Sequence, residues 1–255
     1  MSIPQSFAWW SFYQPHTDPA ALLRAAADIG YAGVDLIDEA LWPLAQSFGL
    51  RIAAVSGHAS ITHGLNDPAQ HRRIQQELLC NLRLTEQHSI PNLIVFSGNR
   101  HGTDEQRGHD AAVEALRVIA PHAENAGVTL VLELLNSRVD HPGYQADHTD
   151  WGVSVVEAVA SPHVKLLYDV YHMQIMEGDL IRTIQRQQTH IAHYHTAGNP
   201  GRGDLDAEQE IQYGAVLRTI RETGFGGFVA HEFIPSGDPV AALRRTFEFC
   251  QASLG

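Results

Sequence analysis

The chain has 255 residues, 44% hydrophobic and 18% charged, a composition that supports a large core and excludes disorder, collagen-like repeats and coiled coil. Its 29 acids against 17 bases give a formal charge of −12, the wrong sign for a protein that neutralises duplex-DNA phosphates, and no Lys/Arg run builds a local basic patch. No apolar run approaches the roughly 18 residues of a membrane-spanning helix.

Met1–Tyr13 has no basic segment followed by an apolar stretch, and two cysteines, Cys80 and Cys250, make no disulfide framework. Both features lead to the expectation of a soluble cytoplasmic chain with the thiols as inert packing residues.

Short β-branched runs then alternate with amphipathic stretches. The expected elements, in chain order, are strand Ser6–Trp10, helix Pro19–Ile29, strand Gly33–Ile37, helix Glu39–Phe48, strand Arg51–Val55, helix Pro68–His88, strand Asn92–Phe96 and helix Glu105–Ala126. They continue with strand Thr129–Glu133, helix Thr149–Val159, strand Lys165–Asp169, helix Gln174–Gln188, strand Ile191–His195, helix Ala207–Thr223, strand Gly227–Glu232 and helix Pro239–Ser253. The helical spacing is plain in Ala112, Leu116, Ile119 and Ala123. Asp18-Pro19 and Asp238-Pro239 suit an N-cap followed by proline in the first turn, and Gly30, Gly49, Gly127 and Gly224 stand where left-handed C-caps belong. Eight strands alternating with eight helices, with no linker or composition shift, predict a single (β/α)8 TIM barrel domain over residues 1–255. An open doubly wound sheet is the alternative, but it calls for a glycine-rich loop after the first strand, where this chain has Trp9-Trp10-Ser11-Phe12-Tyr13.

In such a barrel the chemistry sits at the C-terminal ends of the strands. Four consecutive late strands end in Glu133, Asp169, His195 and His231-Glu232. A single acid there is most simply a helix cap or a partner for Arg100, Arg138 or Arg202. Three carboxylates at one rim repel one another, and a divalent cation removes that repulsion. Three carboxylates with one imidazole form a hard, mainly oxygen donor set, which selects Mn²⁺ first, with Mg²⁺ and Co²⁺ also suited, over a thiolate-seeking metal. Trp9, Trp10, Phe12 and Tyr13 follow strand one and read either as core or as a wall against water, and His58 and His63 follow strand three, with His58 the candidate substrate contact.

Leu167-Tyr168-Asp169-Val170-Tyr171-His172-Met173-Gln174 resembles the signature segment of the hydroxypyruvate isomerase family, within the xylose-isomerase-like barrel superfamily. The segment His193-Tyr194-His195-Thr196-Ala197-Gly198-Asn199-Pro200-Gly201-Arg202-Gly203 resembles that family's seventh-strand loop. Glu133 with Asn136 and Asp140-His141-Pro142-Gly143-Tyr144 is similar to its fifth-strand loop, and His231-Glu232-Phe233 to its eighth strand. The resemblance implies a metal held by Glu133, Asp169, His195 and Glu232, with Glu133 and Glu232 as the acid/base pair and His172 and Arg202 holding substrate oxygens. One position departs: His195 is glutamine in some hydroxypyruvate isomerases and histidine in the related ketose 3-epimerases.

The expected reaction moves a proton between adjacent carbons of a small hydroxy-oxo acid through a cis-enediolate, converting hydroxypyruvate to tartronate semialdehyde. A substrate carboxylate needs a cation, and Arg202 and then Arg100 are the candidates. A ketose 3-epimerase with the same metal site is the alternative, and a metal-dependent endonuclease acting on damaged DNA is disfavoured by the charge. The expected partners are therefore a small oxo acid or sugar, with no nucleic acid and no membrane, in a chain that can form a homo-oligomer.

Overall fold

A computed structural model describes residues 3–254. In chain order its elements are β1 (Gln5–Phe7), α1 (Trp9–Phe12), α2 (Pro19–Ile29), β2 (Gly33–Asp35), α3 (Trp42–Ser47), β3 (Arg51–Ser56), α4 (His71–His88), β4 (Asn92–Val95) and α5 (Glu105–Ala126). There follow β5 (Thr129–Glu133), α6 (Thr149–Val159), β6 (Val164–Asp169), α7 (Val170–Met176), α8 (Leu180–Gln187), β7 (Ile191–Thr196), α9 (Tyr213–Glu222), β8 (Val229–His231) and α10 (Pro239–Leu254). The strands form one eight-stranded sheet in the order β1-β8-β7-β6-β5-β4-β3-β2. A parallel bridge between Ala8 and Asp35 joins the two ends of that order, so the ladder returns on itself, as the strand–helix alternation predicts for a TIM barrel. The chain packs as two compact units.

The first unit takes in the chain up to Ala53, Asp179–Gln188 and Tyr194 onward. Its helix α2 begins as the sequence predicts: the Asp18 carboxylate accepts the Ala20 amide at 3.0 Å, and Pro19 fills the first turn. Gly30 then closes the helix at φ +119°, a conformation an L side chain rarely adopts. Buried aromatics hold β1 and β8 to the surrounding helices. Phe12 meets Phe7 edge-on at 5.8 Å and Phe233 at 4.9 Å, and the Tyr31 hydroxyl donates to the Leu243 carbonyl at 3.0 Å.

The second unit takes in Ala54–Gly178 and Thr189–His193. Strands β4, β5 and β6 pair in register, Leu93 with Leu130, Leu132 with Leu166 and Glu133 with Leu167, and their residues are almost all buried. These strands therefore read as continuous apolar runs, as a parallel sheet covered on both faces requires. Helix α5 starts at Asp104, whose carboxylate accepts the Arg107 amide at 2.9 Å, and ends at Gly127 in the left-handed region.

Several expected boundaries move. The strand expected over Ser6–Trp10 ends at Phe7, and Trp9–Phe12 wind into one helical turn that buries Trp9 and Phe12 and turns Trp10 outward. The strand expected over Gly33–Ile37 stops at Asp35. The helix expected over Gln174–Gln188 is two helices, α7 and α8, parted at Gly178 with φ +64°. The helix expected over Ala207–Thr223 begins only at Tyr213, where Gln212 caps it by accepting the Gly214 amide. Cys250 is buried as a packing residue, but Cys80 is exposed, because it lies on the outer face of α4. No described helix is long and apolar enough to cross a membrane.

Candidate active site

In the first unit, Glu232 directly follows β8, and its amide donates to the Thr196 carbonyl on β7 at 2.9 Å. That backbone bond fixes where the side chain leaves the sheet. Both carboxylate oxygens are engaged. Oε1 accepts the Trp10 indole N–H at 2.8 Å, and Oε2 meets His195 Nδ1 at 3.0 Å and Arg202 Nη2 at 2.5 Å. Arg202 also donates from Nε to the Glu232 carbonyl at 3.2 Å, and its guanidinium lies 5.3 Å from the Trp10 ring centroid. Burial pushes the Glu232 carboxyl up, but the charges of His195 and Arg202 and the bonds from His195 and Trp10 outweigh it and hold the group well below the usual carboxylate range. Glu232 is thus an anion in the folded protein. The plain alternative for Arg202, a brace to Asp204 or Asp206, is not what forms: Asp204 pairs with Arg245 and Asp206 caps its own loop.

His195, the last residue but one of β7, is fully buried, with Nε2 3.6 Å from Asp35 Oδ2 at the end of β2. Its ring therefore stands between two carboxylates, Glu232 and Asp35, which fixes its plane. His231 faces the other way, joined to Thr196 Oγ1 and Gln5 Oε1, and burial pushes its pKa down to about 3. It is a neutral core histidine.

In the second unit, Glu133 ends β5 and Asp169 ends β6, both buried. The Glu133 carbonyl accepts the buried Tyr144 hydroxyl at 2.9 Å, which ties the strand end to the loop behind it. Asp169 fills the cap role expected of a strand-end acid, since Oδ1 accepts the His172 amide at 2.9 Å and starts α7. Its Oδ2 lies 3.8 Å from His172 Nε2. On the other side of that imidazole, Asn136 Nδ2 approaches His172 Nδ1 at 2.6 Å and Asp140 Oδ2 at 2.6 Å.

Two expected substrate contacts sit differently. Arg100 forms an ion pair with Asp147 at 3.0 Å and donates to the Tyr144 and Gln145 carbonyls, bracing the loop after β5. His58 is buried and accepts the Phe96 amide on Nε2 at 2.9 Å, and burial, followed by the Arg73 charge, lowers its pKa to about 4. His63 is exposed, its ring stacked on His101.

The four residues expected as ligands are all buried, Glu133 and Asp169 at strand ends of the second unit and His195 and Glu232 at those of the first. The donor set is three carboxylates and one imidazole without a thiol, so it fits a hard divalent cation. Trp10, expected as core or as a wall against water, instead donates to Glu232, and Asp35 is concealed in the sequence because the strand expected over Gly33–Ile37 runs two residues past it. Asp35 carries the same signal as Glu133, an acid as the last residue of a strand. Asp140 opens the segment that resembles the family's fifth-strand loop, but its contact with Asn136 shows only once that loop has folded back.

Residues 23–252 match the family model described as xylose isomerase-like TIM barrel. Over 250 residues the chain is 26% identical to a Homo sapiens protein named putative hydroxypyruvate isomerase, covering 92% of this chain and 90% of that one. It is 32% identical over 143 residues to the hydroxypyruvate isomerase of Escherichia coli K12, covering 56% of this chain and 55% of that one. It is 31% identical over 140 residues to the 2-oxo-tetronate isomerase of Cupriavidus necator, covering 55% and 53%. The last two matches span about half the length of those relatives. Among solved structures, the D-psicose 3-epimerase of Clostridium cellulolyticum H10 superimposes with a TM-score of 0.82 at 17% identity, covering 99% of both chains. An AP endonuclease of family 2 from Brucella melitensis does so with a TM-score of 0.82 at 24% identity, covering 94% of this chain and 97% of that one. These two likenesses bear on the fold alone.

Proposed function

The chain belongs to the xylose isomerase-like TIM barrel family, and from that premise we propose that it is a metal-dependent isomerase of small hydroxy-oxo acids, converting hydroxypyruvate to tartronate semialdehyde. The curated relatives named as hydroxypyruvate and 2-oxo-tetronate isomerases support the reaction class. The observation that carries the metal is the buried set Glu133, Asp169, His195 and Glu232. Burying three carboxylates without a cation costs several kcal/mol per uncompensated charge. Mn²⁺ suits that donor set, with Mg²⁺ or Co²⁺ as substitutes. When bound, the cation polarises the substrate carbonyl and its neighbouring hydroxyl.

The chain's own residues supply the proton chemistry. Glu133 and Glu232 form the acid/base pair: one takes the proton from the CH₂OH carbon, a cis-enediolate results, and the other returns a proton to the adjacent carbon, while the hydroxyl proton passes to the former carbonyl oxygen. Glu232 is ionised and its orientation is set from both sides, by Trp10 on Oε1 and by His195 and Arg202 on Oε2; these contacts also lower its basicity, which rises when Arg202 turns from it to the substrate. Arg202 holds the substrate carboxylate, since its guanidinium is the charge already nearest Glu232. Arg100 braces the loop after β5 through Asp147, and His58 is held by the Phe96 amide, so both support the site from behind rather than touching substrate.

The test is a substrate panel with Mn²⁺: hydroxypyruvate, 2-oxo-tetronates and free ketoses. Turnover of an oxo acid above the ketoses supports the proposal. Efficient epimerisation of free ketoses with hydroxypyruvate untouched rejects it in favour of a ketose 3-epimerase.

A further inference from the structure

His172 is fully buried, and its two ring nitrogens are chemically distinct. Which one carries the proton follows from a neighbour whose own orientation is fixed. The Asn136 side-chain oxygen accepts two backbone amides, Val139 and Asp140, each at 2.9 Å. An amide nitrogen in that place would face two N–H groups, so the assignment of oxygen and nitrogen at Asn136 is forced. The Asn136 NH₂ group therefore points the other way, and its two hydrogens have two partners. One is Asp140 Oδ2 at 2.6 Å and the other is His172 Nδ1 at 2.6 Å. Asp140 is itself held, since the same Oδ2 accepts the Tyr171 hydroxyl at 2.9 Å. A nitrogen that accepts a hydrogen bond at this distance has no room for a proton of its own.

We propose that Asn136 and Asp140 are positioning residues that fix His172 in its Nε2–H tautomer, making this imidazole a hydrogen-bond donor rather than a base or a metal ligand. Asp140 orients the amide, the amide fills the Nδ1 lone pair, and the ring proton is left on Nε2, on the side of Asp169 Oδ2. A protonated Nε2 has no lone pair to give a cation. This explains why a buried histidine beside Asp169 stands outside the donor set of three acids and His195. It also assigns a direction to the substrate contact: His172 donates to an oxygen, the interaction that steadies negative charge growing on it. The tautomer stands on geometry alone, whereas its catalytic consequence rests on the isomerase reading.

The two are tested separately. The tautomer is read by nitrogen-15 NMR of the histidine side chains in the full-length protein, with His172→Gln assigning the signal among the 16 histidines. The expected result is a proton on Nε2 in the wild type. A proton on Nδ1, or an even mixture, overturns the proposal without touching the isomerase reading. The paired exchange Asn136→Asp with Asp140→Asn keeps the charge and reverses the polarity, because the carboxylate at 136 accepts from both neighbours. It is expected to move the proton to Nδ1, and a proton that stays on Nε2 overturns the proposal. The same exchange is expected to lower kcat by about 100-fold, the lower range for a misplaced catalytic proton, with metal affinity by calorimetry within a few-fold of wild type. If the exchange does not fold, Asp140→Asn alone serves: loss of the single Nε2–H state supports the chain of control, and its retention refutes the part given to Asp140. An inactive wild type with the expected tautomer sinks the isomerase reading and leaves this one standing.

Discussion

Lowering the pH from 7.5 to 5 should destabilise this protein by about 2 kcal/mol through His58 alone. The imidazole is buried, accepts the Phe96 amide on Nε2, and has its pKa lowered from 6.5 to about 4. Because the folded value is the lower one, the unfolded chain binds more protons at intermediate pH. The stability from neutral His58 is complete above about pH 7 and falls as the pH drops from 6.5 towards 4. The full span corresponds to ~3 kcal/mol, and at pH 5, where the unfolded imidazole is charged and the folded one is not, ~2 kcal/mol has been lost. Protonation would also place a hydrogen where the Phe96 amide now points. Urea unfolding of wild type and His58→Gln at both pH values isolates the effect, since glutamine can accept the same amide and does not titrate. His231, buried and also lowered, contributes equally to both proteins and cancels. The variant should lose about 2 kcal/mol less than wild type between the two pH values. Parallel losses would show that His58 takes up its proton as readily in the folded protein as in the unfolded chain.

Glu133→Gln and Glu232→Gln should each lower turnover by about 100-fold or more while the protein stays folded, as steady-state kinetics with circular dichroism would record. Asp169→Asn should act mainly through metal affinity, so saturating Mn²⁺ should restore part of its activity; no rescue, with the glutamate variants still active, would reverse the assigned roles. Arg202→Met should cost about 2–4 kcal/mol in kcat/KM on hydroxypyruvate and less on a neutral ketose, because only the oxo acid brings a carboxylate to pair. A metal chelator should lower the melting temperature, read by calorimetry, because it returns three buried carboxylates to mutual repulsion.

The eight strands were legible because β4, β5 and β6 are centred on Val, Ile and Leu, and because caps such as Asp18 and Asp104 announce their helices. The ends of β1 and β2 were not. Trp9 and Trp10 have strong strand propensity, yet packing of Trp9 and Phe12 on one face winds them into a turn. Glu133, Asp169, His195 and Glu232 could be named from position, since each lies within one residue of a strand's end. Their partners could not: the 2.8 Å bond from Trp10 to Glu232 joins residues 222 apart in sequence, and Asn136 reaches His172 across 36. The break at Gly178 was visible as a lone glycine, but helical periodicity on both sides masked it.

Whether buried acids hold a cation and pass a proton between carbons is decided by proton NMR of hydroxypyruvate turnover in D₂O with metal-stripped and Mn²⁺-restored protein. The expected result is no turnover without metal, recovery with Mn²⁺, and tartronate semialdehyde carrying deuterium at the carbon that was the ketone, since the glutamate that protonates this carbon draws its proton from solvent. Full turnover by rigorously metal-free protein would contradict it.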